Sequence, residues 1–349
     1  MAYTTIKKPS DYFNTKLYTG NGGTNAITGV GFQPDLIWIK DRDTAGNSHI
    51  WTDSVRGNTK NIYSNLTNAE ATNTDRVTSF DSDGFTLGAD ASQGVNDSGS
   101  SQVSWNWLAG GTASSNTQGD IASTVSANTT SGFSIVSYTG TGSNATVGHG
   151  LGVAPKCIIV KDRDGVRSWI VGHDSIGWGN YLALDLTDAS TSLSSIWNST
   201  APTSSVFSVG TASNTNFSGN NLIAYCFAEK KGFSKFGSYT GNGNADGTFV
   251  YTGFKPAFIL GKNASGTSAA FENWFIYDDK RNTFNPTYNV LFPNSNSAEG
   301  ANSAQSLDLL SNGFKARSVE TRFNESGSTY IYMAFAEEPL VGDNPATAR

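Results

Sequence analysis

The sequence predicts an all-β protein made of three tandem, jelly-roll-like β-sandwich units. Three observations support this prediction. The composition favours turns and strands over helices, one pattern of about 100 residues occurs three times, and each copy ends in a strand with a two-residue period. Several short strands separated by turn signals are typical of a sandwich.

The composition is that of a folded chain with few charges. Charged residues make up 15% of the 349 residues, against roughly 25% in an average soluble protein. Gly, Ser, Thr and Asn take their place, and these residues favour turns and strand ends. Aromatic residues reach 12%, which supplies enough large apolar side chains for cores and argues against disorder.

Charge and hydropathy exclude several classes of partner. The net charge is −6, and the densest basic groups are pairs such as Lys7-Lys8 and Lys230-Lys231, so we expect no nucleic acid partner. No apolar run approaches the roughly 18 residues of a membrane span. The first ten residues lack the apolar centre of a signal peptide, which predicts synthesis and retention in a cytoplasm until release.

Each of the three copies opens in the same way. Tyr-Thr-Gly-x-Gly is followed by Gly-x-x-Pro, by an apolar run that ends in a lysine, and by a lone tryptophan. The unbroken apolar runs predict strands buried on both faces at 35–40, 156–161 and 257–262. The opening tyrosines are Tyr18, Tyr138 and Tyr239, the lysines are Lys40, Lys161 and Lys262, and the tryptophans are Trp51, Trp169 and Trp274.

The copies also close in the same way, with Asn-x-Ser-Gly and an aromatic residue eight positions after the glycine. Val103, Trp105 and Trp107 alternate with Ser104 and Asn106, which predicts a half-buried strand. We therefore expect the closing aromatics to be buried. They are Trp107, Phe227 and Phe335.

The copies divide the chain into 1–112, 113–231 and 232–349. The second range begins with a polar stretch, residues 110–131, that we interpret as a linker or an exposed strand. Residues 183–197 are expected to carry a turn of helix. Few residues separate the second and third copies, so these two should pack against each other.

The sequence contains no convincing catalytic or metal-binding constellation, so we expect no enzyme, cofactor or metal site. The three histidines, His49, His149 and His173, do not occupy equivalent positions, and the adjacency of His173, Asp174 and Ser175 is no evidence for a triad. Zinc needs three or four His or Cys ligands at characteristic spacing. Cys157 and Cys226 lie in apolar runs and are expected to be buried free thiols.

Carboxylates are the remaining candidates for chemistry, because a glycosidase needs a pair of them across a sugar. Asp41-Arg42-Asp43 recurs as 162–164, whereas the third copy has Asn-Ala-Ser at 263–265. The simplest interpretation is a solvated loop with local ion pairs. The stretch 81–84 resembles the start of a calcium loop but lacks its later ligands, and a structural cation in these loops stays an open alternative.

Three aromatic residues fall outside the repeated pattern: Trp178, Tyr181 and Trp197. Exposed aromatic rings are the natural groups for stacking on sugars. These residues are therefore candidates for surface recognition. The alternative is a packing role specific to the second copy.

The repeated motifs resemble a domain that is common in virion proteins of marine tailed phages. The likeness covers nearly the whole chain. It implies a virion structural protein but no catalytic residues, and the same domain is attached to tails, tail fibres and other parts of the particle. The segments that carry it are residues 18–22, 31–40, 53–57, 110–142 and the ending from Ala334 to Arg349.

The resemblance predicts a non-enzymatic tail or short tail-fibre component, assembled in the host cytoplasm and carried on the virion. Because the first copy begins within about ten residues of Met1, we expect a short fibre or tip rather than a whole long fibre. Its partners would be other virion proteins, a host-surface glycan or protein, and further copies of itself, with a trimer favoured by analogy with fibres. Two alternatives remain: a head-decoration protein, and, from another class, a polysaccharide-degrading tail enzyme.

Overall fold

The computed structural model describes residues 4–90, 94–266 and 272–339, and this part of the chain is all-β. Every ladder between its strands is antiparallel. The α-helices are single turns, namely α1 (Ser194–Trp197), α2 (Ser213–Asn216) and α3 (Thr321–Asn324). Among the described residues no helix is long and apolar enough to cross a membrane.

The strands group into three sheet pairs, each with a large and a small sheet. The first pair contains β1 (Phe13–Thr19), β2 (Asn25–Thr28), β3 (Leu36–Asp41), β4 (Ile50–Asp53), β5 (Lys60–Tyr63), β6 (Ala71–Thr72), β7 (Val77–Asp81), β8 (Gly84–Leu87) and β9 (Ser101–Trp107). Its large sheet has the order β1-β9-β3-β4-β5-β6, and its small sheet the order β2-β8-β7.

The second sheet pair has the largest sheet of the molecule. It contains β10 (Ser114–Asn116), β11 (Ser123–Asn128), β12 (Phe133–Thr139), β13 (Ala145–Gly148), β14 (Cys157–Asp162), β15 (Ile170–His173), β16 (Asn180–Ala183), β17 (Thr191–Ser192), β18 (Val206–Val209) and β19 (Asn221–Phe227). The large sheet has the order β10-β11-β12-β19-β14-β15-β16-β17, and β13 pairs with β18.

The third sheet pair completes the described chain. It contains β20 (Ser234–Thr240), β21 (Phe249–Tyr251), β22 (Phe254–Asn263), β23 (Phe275–Asp278), β24 (Asn289–Val290), β25 (Gly300–Ala301), β26 (Leu307–Leu310), β27 (Gly313–Ala316) and β28 (Thr329–Pro339). The large sheet has the order β20-β28-β22-β23, the small sheet the order β21-β27-β26, and β24 pairs with β25.

The three segments expected to be buried strands are confirmed as β3, β14 and β22, and every residue in them is buried. Each is a central strand with one face toward the small sheet and the other toward the rest of the molecule. β8 and β27 each begin with a glycine, Gly84 and Gly313. A Cβ on Gly84 would collide with the carbonyl oxygen of Ile27, and one on Gly313 with that of Val250, so these close strand contacts require glycine.

The alternating strand at residues 101–107 differs from its prediction on one face. Ser104 and Asn106 are fully buried rather than solvated. The reason is tertiary, because β9 lies between β1 and β3, and its polar face is covered by the small sheet. The alternation identified two faces but could not show that both are covered.

The polar stretch at residues 110–131 is not a free linker. It supplies β10 and β11, and β11 pairs with β12 over six residues. The alternative of an added strand therefore holds. The helical turn expected within residues 183–197 is confirmed as α1, although Ala183 itself ends β16.

The described residues form four apolar cores. Three lie within the individual sheet pairs, and the fourth is shared by all of them. At the centre of this shared core stand the three closing aromatics, as predicted. Trp107, Phe227 and Phe335 are 1–2% exposed, and their ring centroids form a triangle with sides of 5.7, 6.0 and 6.4 Å.

Hydrogen bonds join neighbouring sheet pairs in a closed cycle. The second pair contacts the first, the third contacts the second, and the first contacts the third. The amide of Glu70 donates to the carbonyl of Arg163 (2.7 Å), that of Ser190 to Ala264 (2.9 Å), and that of Glu299 to Arg42 (2.8 Å).

Candidate functional site

The Asp-Arg-Asp loops follow β3 and β14 and are structural rather than solvated. The side chains of Asp41 and Asp162 are fully buried, which corrects the expectation of an exposed loop. One oxygen of each accepts two backbone amides, those of Asp43 and Thr44 in the first loop, at 2.8–2.9 Å. These carboxylates fix the turn after a central strand, so they do not face a substrate.

The arginines of the same loops clamp neighbouring sheet pairs together. Arg163 reaches Glu70 at 2.9 Å, and Arg42 reaches Glu299 at 2.8 Å. Burial opposes ionisation of Glu70, but its hydrogen bond with Arg163 and the charge of Arg56 lower the pKa below the usual value. The paired ions are largely shielded from solvent, which makes them interface contacts and not a reactive centre.

The three repeated lysines are buried, and two of them serve the same interfaces. Burial lowers the pKa of Lys40, Lys161 and Lys262 to about 8. Each ammonium donates to the carbonyl of the next residue. Two of them also donate across to the neighbouring sheet pair, Lys161 to Thr67 O at 3.0 Å and Lys262 to Thr187 O at 2.9 Å.

The histidines are buried and held by structural hydrogen bonds. In His173, Nδ1 accepts the Ser175 amide, so Nε2 carries the proton and donates to the Tyr332 carbonyl at 3.2 Å. Burial lowers the pKa of His173 to about 4. Asp174 instead pairs with Lys156, so the three adjacent residue types form no triad.

The cysteines are free and buried, and the burial of both thiols raises their pKa. The loop at residues 81–84 uses its oxygens internally. The Asp83 carboxylate accepts the amides of Gly29 and Gly31, and these bonds lower its pKa. Among the residues that the structure describes, no group of His, Cys, Asp and Glu has the arrangement of a metal site.

The aromatic residues singled out for recognition are packed instead. Trp178 is 6% exposed and Trp197 is fully buried, and their rings meet edge to face at 5.5 Å within the core of the second sheet pair. Tyr181 packs against the same core and is partly buried. The expectation of exposed stacking rings is therefore wrong for the two tryptophans, because α1 folds Trp197 onto the large sheet.

A groove of about 510 Å³ lies along β1 where the first and third sheet pairs meet. We call it the edge groove. One side is formed by residues 14–17 and the other by Lys280, Glu337 and Glu338. Sequence reasoning missed it because its two sides are far apart in the chain.

A pair of carboxyl groups lies beside the edge groove: Glu337 lines it, and Asp279 lines a small adjoining cavity. Asp279 is 1% exposed, and burial raises its pKa to about 7, whereas hydrogen bonds with Asp279 and Lys255 lower the pKa of Glu337. Groups joined by a hydrogen bond lie within about 3.5 Å, but glycosidase carboxylates stand about 5–9.5 Å apart. The pair therefore lacks the separation that glycoside hydrolysis requires.

Exposed aromatic side chains do occur, on the outer face of the third small sheet. Phe249 is 44% exposed and Tyr251 is 54% exposed, with buried Val250 between them on β21. We call these two rings the aromatic strip. The residues that pair with β8 at the corresponding place in the first sheet pair are Ala26 and Thr28. The Phe-Val-Tyr alternation was the signal that sequence reasoning passed over.

Comparison with known proteins places the chain in one family. A family model described as a domain of unknown function, DUF7483, matches residues 8–339. The chain therefore belongs to this family. No curated protein and no solved structure matches it.

Proposed function

We propose that this protein is a non-enzymatic structural component of a tailed-phage particle, at the tail or on a short fibre or tip. The observation that supports the proposal is that the buried polar side chains make structural hydrogen bonds and ion pairs. The repeated lysines, the Asp-Arg-Asp loops and the buried histidines all hold strands or sheet pairs together. With these polar groups bound to one another, the surface of the molecule is the part left to contact partners. Such a surface suits a protein that assembles with other proteins and adheres to a host.

We also propose that the chain is three copies of one jelly-roll-like β-sandwich unit. The support is that β1-β9-β3-β4, β12-β19-β14-β15 and β20-β28-β22-β23 follow the same order. Each large sheet also packs against a small sheet over its own core. The proposal keeps the boundaries 1–112, 113–231 and 232–349.

The surface that best suits adhesion is the aromatic strip. Two exposed rings on a rigid sheet can stack on a sugar or pack on a protein at little cost in conformational entropy. We propose a host-surface glycan or protein as the external partner. Further copies of the chain, with a trimer favoured, would raise the avidity of weak contacts.

Adsorption to host cells tests this role. Replacing both Phe249 and Tyr251 by alanine should reduce binding of the purified protein to host cells about tenfold or more, since two stacking contacts are lost. Phe217→Ala is the matched control, because Phe217 is a 40% exposed aromatic in the second sheet pair. Equal loss in both variants, or none in either, contradicts the assignment of the strip.

The enzymatic alternative has a direct test. Incubation with host polysaccharide should release no reducing ends. Release that is abolished by Asp279→Asn or Glu337→Gln, or by changes at Asp41 or Asp162, would overturn the non-enzymatic proposal. Location of the chain in an intact particle separates a tail component from a head-decoration protein.

A further inference from the structure

The three large sheets differ at one edge. In the second sheet pair the edge of β12 is covered by β11, which pairs with it from Phe133 to Tyr138. In the third pair the Glu229 carboxylate faces the amide of Phe236 on β20 at 3.5 Å and pairs with Lys235. In the first pair the corresponding strand, β1, has β9 as its one neighbour among the strands that the structure describes.

The alternation of strand hydrogen bonds identifies the groups on this open edge. Gly20 N donates to Ser100 O, and Leu108 N donates to Tyr12 O. The even-numbered residues of β1 therefore bond β9, and Phe13, Thr15 and Leu17 point their amides and carbonyls away from it. No residue in the described part of the chain bonds these outward groups of Thr15 and Leu17.

The register shows that the corresponding groups in the second sheet pair do hold a strand. Ser137 stands opposite Thr124, and Ile135 stands opposite Ser126. Gly140 N donates to Asn220 O, so the odd-numbered residues of β12 bond β11 rather than β19. The same fold position thus accepts an antiparallel strand when the chain supplies one.

The open edge of β1 borders the edge groove. A second observation, a buried hydroxyl group without a hydrogen-bond partner, indicates that a binding partner fits there. Thr15 is 5% exposed, and its hydroxyl has no hydrogen-bond partner among the described residues. Thr15 lines both the edge groove and a small adjoining cavity of about 40 Å³. A buried hydroxyl without a partner is uncommon, because its desolvation is not repaid.

We propose that the edge groove binds an extended segment of a partner polypeptide, which adds to β1 as an antiparallel strand. The main chain of the segment bonds the outward groups of Thr15 and Leu17. Lys280 and Glu337 form the opposite side of the groove, so the segment would lie between them and β1. A segment is favoured over the edge of a second folded sheet because the chain itself supplies a segment, β11, at the corresponding position of the second sheet pair. Recognition through the main chain is an established way to bind peptides at sheet edges.

The partner segment should resemble β11. Its side chains are small and uncharged over Ser123–Asn128. The groove has lysines and glutamates on its sides, so an uncharged segment avoids a buried unpaired charge. We expect about six residues to be held, as in the pairing of β11 with β12.

A synthetic peptide with the sequence of residues 121–128 is the probe, labelled and titrated into the full chain by fluorescence polarisation. N-methylation of the peptide at Thr124 and Ser126 removes the two amides that would face β1 and should weaken binding about tenfold or more. N-methylation at Val125, whose amide faces the other way, should change affinity by less than about twofold. Equal effects of the two modifications overturn the proposal, as does the absence of binding.

Proline substitutions in the protein test the same site from the other side. Leu17→Pro removes an outward amide and should abolish peptide binding. Leu17 also packs against the shared core, so its matched control is Leu17→Ala, which loses the same packing but keeps the amide; the melting temperatures of these two variants should differ by no more than about 1 °C. Ser137→Pro is the matched control, because its amide bonds β11, and it should lower the melting temperature by about 4 °C. Peptide binding that survives Leu17→Pro shows that the peptide does not bond the Leu17 amide. If Leu17→Pro is less stable than Leu17→Ala by as much as Ser137→Pro is less stable than the parent, the amide already has a partner. Either result overturns the proposal.

Discussion

Truncation of the central aromatic triangle should destabilise the whole molecule in one step. Phe227 is 1% exposed and stacks on Phe133 at 4.8 Å, and its ring also contacts those of Phe335 (6.0 Å) and Trp107 (6.4 Å). Phe227→Ala should lower the free energy of unfolding by about 3–5 kcal/mol. The contacts reach all three sheet pairs, so none of them should be spared.

The expected change in melting temperature follows from chain length. With about 2.1 cal/mol/K of unfolding entropy per residue, the 349-residue chain gains roughly 0.7 kcal/mol/K on unfolding, and the loss corresponds to about 4–7 °C. Differential scanning calorimetry measures both the shift and the number of transitions. Phe217→Ala, at a 40% exposed position, is the control and should shift the melting temperature by only about 1 °C, through the loss of its cation–π contact with Arg167 at 4.2 Å.

Two results would refute this reasoning. An unchanged melting temperature in Phe227→Ala would mean that the register of β19 is wrong. Several separate transitions, only one of which moves in the variant, would mean that the shared core does not couple the sheet pairs.

Three further predictions concern buried polar groups. Gln102 is fully buried, and its side-chain amide has no partner among the described residues. Gln102→Leu should therefore raise the free energy of unfolding, measured in urea, by about 1–3 kcal/mol, and Leu222 already holds the equivalent place in β19. A loss of stability in this variant would contradict the prediction. Arg281 and Asp278 form a fully buried ion pair at 2.6 Å, so Arg281→Met should cost about 3–5 kcal/mol in the same assay. Arg322→Met should cost less, because it breaks a 3.8 Å contact with Glu320 and a cation–π contact with Phe292 at 5.0 Å. Burial lowers the pKa of His173 to about 4, below its unfolded value near 6.5, so the stability contributed by the neutral ring is complete above pH 6.5 and is lost as the pH falls toward 4. His173→Gln should remove on the order of 3 kcal/mol of this pH dependence of the free energy of unfolding. Identical pH profiles of variant and parent would refute the prediction.

Much of the strand pattern followed from the sequence because strand signals are local. The unbroken apolar runs located β3, β14 and β22, and a fixed distance from a turn glycine located Trp107, Phe227 and Phe335 in the core. These signals depend on turn chemistry and on the two-residue period of a strand. Both are properties of neighbouring residues.

The candidate sites were less predictable because the exposure of each side chain depends on which distant segments pack against it. The Asp-Arg-Asp loops look solvated in the sequence, yet Asp41 and Asp162 are buried at contacts between sheet pairs. Trp178 and Trp197 lie outside the repeated pattern, yet they form part of the second core. The edge groove joins residue 15 to residue 337, a separation that no local pattern records.

The sequence by itself determined that the chain is all-β, where its central strands lie and which aromatic residues each copy buries, because hydrophobic period and turn residues act over a few positions. Only the tertiary structure decided that the three large sheets share one core and that, within residues 4–90, 94–266 and 272–339, no strand covers the edge of β1 while β11 covers that of β12. Those features depend on which surfaces meet after the strands have formed. A surface formed by residues far apart in the chain depends on how the sheets pack, and a local sequence pattern does not record that packing.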